Sequence, residues 1–208
     1  MMLPTHALSG MVLGLAVSAV APEFGPVAIA AGLLGGVFPD LDMYAGHRKT
    51  LHFPVYYSLA AGVALVVAVL GPSPWTVAAA LFLLAAAVHS VADGFGGGLE
   101  LRPWEGTSDR AVYDHYRGRW IAPRRWVGYD GSPGDLLLTG LLAVPLLLTL
   151  DGPFQWIVLA SVAVAGAYTA VRKHLPEMAD VLIGDVLVPI IPEGLHAHVP
   201  DRYLENGQ

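Results

Sequence analysis

Six apolar segments dominate this chain, at residues 7–21, 24–38, 53–70, 75–91, 136–150 and 154–171, and three of the connections between them are tight turns. Pro22-Glu23 with Gly25-Pro26, then Gly71-Pro72-Ser73-Pro74, then Asp151-Gly152-Pro153 leave room only for helical hairpins. Apolar residues are 55% of the 208 and charged residues only 13%, against roughly 25% charged in soluble domains. The expected fold is therefore all-α, a polytopic membrane helical bundle of about six apolar helices. At 15 residues each, the first pair would rise only about 22 Å against a hydrocarbon core of about 30 Å, so a re-entrant hairpin and two full crossings both stay open. Either returns the chain to its starting side.

Sidedness follows from charge. All 11 Lys and Arg fall in the long connections or the tail, whereas the short turns carry Glu23 and Asp151. By the positive-inside rule, both termini and the long loops are expected on the cytoplasmic side of the cell (inner) membrane. A single membrane-embedded domain over residues 1–208 is expected. Residues 1–93 would carry the helices of a polar site, 94–134 a cytoplasmic loop rich in Arg and aromatics, 135–171 a helical hairpin and 172–208 a cytoplasmic tail. The net charge of −6 argues against a nucleic-acid partner.

The polar residues that interrupt this pattern stand at segment ends on that same side. His6 opens the first segment, Asp40 and Asp42 follow the second after Pro39, His52 opens the third, and His89 with Asp93 close the fourth. Ionisable groups at membrane depth are costly unless they pair or bind something. Imidazole and carboxylate together suit zinc, manganese or iron, and without cysteine no thiolate ligand is available. His89 and Asp93 are four apart, hence on one helical face. Asp40 and Asp42, read in an extended turn, would address one point.

Thr5-His6, Pro39-Asp40-Leu41-Asp42, the His-Arg-x-x-x-His of residues 47–52 and the His-x-x-x-Asp of residues 89–93 resemble the YdjM-type family of inner-membrane-associated metal-dependent hydrolases. That family is grouped with the zinc-dependent phospholipase C and single-strand nuclease superfamily. The resemblance covers residues 2–105. It implies His6, Asp40, Asp42, His52, His89 and Asp93 as metal ligands, His47 as a further ligand or acid/base, and a phosphoester substrate. Lys49 and Leu51-His52-Phe53 depart from the pattern expected there, which has a glycine after His-Arg and hydroxyls at the end.

In the expected mechanism a divalent ion, zinc first, activates water with one aspartate, Asp42 or Asp93, as general base; His47 stays the further ligand or acid/base that the resemblance implies. Arg48, Arg117 and Arg119 are the candidate substrate contacts, because guanidinium pairs with phosphate oxygens. The same Arg and aromatic loop can equally anchor the protein at the headgroup level. A lipid substrate fits a site at that depth. The alternative is a non-enzymatic membrane protein, a scaffold or metal-ion transporter, with a structural His/Asp site.

Overall fold

The computed structural model describes residues 1–204 and is an all-α helical bundle carrying one small antiparallel sheet. The chain forms two compact units, Met1–Thr169 and Ala170–Gln208.

In the first unit, α1 (Leu3–Val20), α2 (Gly25–Val37), α3 (Pro54–Leu70), α4 (Pro74–Ala92), α5 (Pro133–Thr149) and α6 (Gly152–Val171) track the six apolar segments. Proline occupies the first turn of α1 to α5, where its missing N–H costs nothing. Ser73 and Thr76 form a reciprocal capping box on α4, and Ser132 caps α5. These local signals explain why the sequence turns where it does.

Among the described residues, four stretches are long and apolar enough to cross a membrane: Leu3–Val20, Pro22–Asp42, Pro74–Phe95 and Gly152–Val171. Pro54–Leu70 and Pro133–Thr149 are shorter apolar helices. The fold is that of a membrane protein. The first pair is long enough for two crossings, because α1 starts upstream of the apolar run at Leu3 and a 3₁₀ turn, Phe38–Asp42, extends α2. His6 thus lies in the first turn of a helix.

Helix α1 packs on α2, α4 and α5, and α3 packs on α4. One buried cluster joins Leu8 and Met11 of α1 to Ile29, Ala143, Leu146 and Val158; a second joins Ala28 and Ala31 to Val77, Ala80 and Leu81. Backbones meet where α1 crosses α2. A Cβ on Gly32 would collide with the Gly10 carbonyl, and one on Gly36 with the His6 carbonyl. Small residues at such crossings are the usual membrane solution, since apolar burial gives little drive within lipid.

Residues 93–132 form a folded cap that contains strands β1 (Val112–Asp114) and β2 (Arg119–Ile121), paired antiparallel with Tyr113 opposite Trp120. The sequence predicts only a loop over this stretch, and the structure folds it. Its glycine-rich start is held by the chain itself: Gly94, Phe95 and Gly96 accept from the backbone of Arg124, Val127 and Arg125.

In the second unit, α7 (Leu175–Ala179) runs into a π-helical stretch, Asp180–Leu187, and a 3₁₀ turn, Val188–Ile190. His196 bonds the Ile191 carbonyl. The side chain of His198 lies outside the described residues.

Candidate metal centre

Because α1 and α2, like α3 and α4, run antiparallel, the N-terminal ends of α1 and α3 meet the C-terminal ends of α2 and α4. Their polar residues converge there. His52 and His89 are fully buried, Asp93 is 1% exposed, and the Asp40 side chain is 9% exposed at the edge of the group. One ligand atom from each of these four lies within 4.8 Å of the others.

The spacing within this cage is informative. His52 Nε2 is 3.2 Å from His89 Nε2, 3.6 Å from Asp40 Oδ1 and 3.3 Å from Asp93 Oδ2. His89 Nε2 is 3.3 Å from Asp40 Oδ1 and 3.7 Å from Asp93 Oδ2. Ligands bound tetrahedrally at zinc bond lengths stand about 3.3–3.4 Å apart, so the cage has the size of a coordination shell.

Outer contacts fix which atoms face inward. His89 Nδ1 donates to the Gly36 carbonyl at 2.6 Å, and His52 Nδ1 donates to Asp42 Oδ2 at 3.0 Å. Both neutral rings must then present Nε2 lone pairs toward each other. Two facing lone pairs in a dry site need a cation between them. Among the described residues, buried Asp93 Oδ2 also has no hydrogen-bond partner. Carboxylate or carbonyl partners behind metal-binding histidines are the usual arrangement, and an orphaned acceptor is costly unless something binds it. On these observations the residues present fit a divalent ion.

A proton can take the cation's place. Burial opposes charge on His52, but the carboxylates of Asp40 and Asp93 outweigh it and raise its pKa to about 9.

The structure separates the remaining expected site residues from the cage. Asp42 is not in the ligand group; it accepts from His52 Nδ1, His47 Nδ1 and the backbone N–H of Leu51 and Arg48. Asp40 and Asp42 do not address one point, because residues 38–42 are 3₁₀ and not extended. At about three residues per turn, positions i and i+2 point to different sides. Asp42 instead closes the loop of residues 43–52 upon itself. His6 stands behind the cage, its Nε2 3.1 Å from Asp93 Oδ1 and its ring stacked on His89 at 3.6 Å. The N-terminal amine of Met1 also donates to Asp93 Oδ1, at 2.8 Å.

His47, 29% exposed, is the site's link to solvent, with Nδ1 3.0 Å from Asp42 Oδ1 and 4.0 Å from Asp40 Oδ1. Arg48 is buried, and its Nη1 donates to the carbonyls of Gly97 and Ala111. Arg117 and Arg119 are exposed on the β hairpin, Arg117 beside Asp114 at 3.4 Å. Sequence reasoning missed the buried Asp135, which accepts from Thr5 and the Met2 amide. Its position at the third residue after the Ser132 cap marks it as a helix-start residue, and nothing local signals that it would be buried against α1.

Comparison of the chain with protein-family models, with curated proteins and with solved structures gives no match. Fold and site together define a helical membrane protein with a buried His/Asp group able to hold a metal ion.

Proposed function

We propose that the protein is a membrane-bound, metal-dependent hydrolase of the YdjM type, acting on a phosphoester, with a lipid headgroup a natural substrate, at the cytoplasmic face. The observation that carries it is the convergence of two Nε2 lone pairs, each fixed from behind, on Asp40 Oδ1 and an otherwise orphaned Asp93 Oδ2. Asp40, His52, His89 and Asp93 would hold the ion, zinc by the donor set, with manganese or iron the other candidates. A divalent ion in such a place lowers the pKa of water toward about 7 and offsets charge developing on a substrate oxygen.

The chain's own groups supply the rest. His47 reaches solvent, and its Nδ1–H points to Asp42, which fixes the tautomer and leaves Nε2 free to take a proton from water and return it to the leaving group. Asp42 holds this base and the ligand His52 at once, an economical reason for burying it. Asp40, the least buried of the four, is the ligand on whose side a substrate would gain access. Arg117 and Arg119 extend from the cap and would contact phosphate.

A second reading, a structural site in a non-enzymatic membrane protein, is favoured by one observation: four protein groups stand within 4.8 Å of one another, enough to fill a four-coordinate shell, whereas catalytic zinc keeps a position open. Metal analysis of purified protein, followed by phosphomonoester, phosphodiester and phospholipid hydrolysis assays, tests both. Stoichiometric metal with hydrolysis lost in His47→Gln supports the enzyme. Stoichiometric metal without hydrolysis of any of the three classes supports the structural site.

A further inference from the structure

We propose that Arg48 is a positioning residue that couples the occupancy of the metal centre to the order of residues 94–121 within the cap; this rests on the metal-centre reading above. Its backbone is the first indication. Arg48 has φ 60°, a left-handed conformation that glycine adopts freely and a side chain makes costly. An arginine retained in that conformation points to a task for the side chain, since strain of this kind persists where function over-determines it.

The side chain is not available to substrate. It is 4% exposed, and Nη1 is held by the Gly97 carbonyl at 2.8 Å and the Ala111 carbonyl at 3.4 Å. Its Nε lies 3.5 Å from Asp93 Oδ2, and neither buried atom has a hydrogen-bond partner. The guanidinium thus holds the Asp93 carboxylate by charge while leaving the lone pairs of Oδ2 directed at the cage.

The backbone of Arg48 joins the same two parts. Its N–H faces Asp42 Oδ1 at 3.4 Å, and its carbonyl accepts from Tyr113 of β1 at 2.9 Å. One residue therefore touches a cage ligand, the carboxylate behind a second ligand, the glycine-rich segment and the hairpin. Its planar fork can make these contacts together, and a lysine cannot. An ion that fixes Asp93 must also fix the guanidinium, and with it the carbonyls of Gly97 and Ala111.

The test is amide hydrogen exchange of the full chain in nanodiscs, with and without zinc, read on peptides over residues 94–99 and 110–122. In the wild type, zinc should slow exchange there roughly tenfold, a usual size for coupled sites. Arg48→Gly removes the fork while suiting the backbone conformation, and Arg48→Lys keeps the charge without the fork. Both should still bind zinc, and in both the zinc-dependent protection of the cap should fall away. Protection persisting in Arg48→Gly would overturn the proposal. Should that variant not fold, Arg48→Lys decides in the same way, and wild-type zinc binding without any change in cap exchange overturns it whatever the variants do. A wild type that binds no zinc removes the metal-centre reading itself, and the coupling with it.

Discussion

At the scale of single residues the site is ordered by what stands behind it. His52 and His89 each spend Nδ1 on an acceptor, so the useful nitrogen of each has one direction to face. The raised pKa of His52 has a measurable consequence. Its metal-free value of about 9 lies above the ordinary 6.5, so its protonated form stabilises the metal-free fold fully below pH 6.5, and that contribution is lost as pH rises through 9. An ion at the cage must displace the proton. Zinc binding at pH 7 should therefore release about one proton, read as a buffer-dependent enthalpy in calorimetry, and affinity should weaken about tenfold for each pH unit below 9. A buffer-independent enthalpy would show that His52 binds nothing through Nε2. His89→Ala and Asp93→Ala should each abolish zinc binding by equilibrium dialysis. Asp42→Asn, which leaves the cage intact but disturbs two histidines, should weaken it by about 10- to 100-fold.

At the scale of elements, the α1–α2 crossing sets how closely the ligand ends can meet. The Gly32 position faces the Gly10 carbonyl, so Gly32→Ala forces the helices apart and should cost about 1–3 kcal/mol. A lowered melting temperature together with weakened zinc binding is the expected pair of results, because the same shift moves His6 and Asp40. The helices were legible in the sequence because proline and glycine turns bracket long apolar runs, and the ligand-bearing ends followed from counting crossings. Three features were not legible. The start of α1 at Leu3 precedes any apolar period, and residues 38–42 read as extended because Pro39 ends helices more often than it opens a 3₁₀ turn. Strands of three residues, such as Val112–Asp114 and Arg119–Ile121, carry too little alternation to be told from loop. The separation of Asp40 from Asp42 into cage and support depends on that 3₁₀ turn, and so does the burial of Arg48, whose contacts come from residues far along the chain.

At the scale of the whole molecule, two independent lines bear on how the chain lies in a membrane. The distances among His52, His89, Asp40 and Asp93 place the start of α3 and the ends of α2 and α4 at one end of the bundle, as alternating crossings require. The basic residues then give that end a side: the connections at the opposite end hold Glu23 and Asp151 and no Lys or Arg. The metal centre is therefore expected at the cytoplasmic surface, at the level where a headgroup could reach Asp40. The chain has no cysteine, so single cysteines are unambiguous reporters. In intact cells, a membrane-impermeant maleimide should label cysteines placed at Glu23, Ser73 or Asp151. A cysteine at Ser108, in the cap, should label only after permeabilisation. Labelling of the Ser108 position from outside would invert the molecule and place the metal centre, with any substrate it acts on, at the external face.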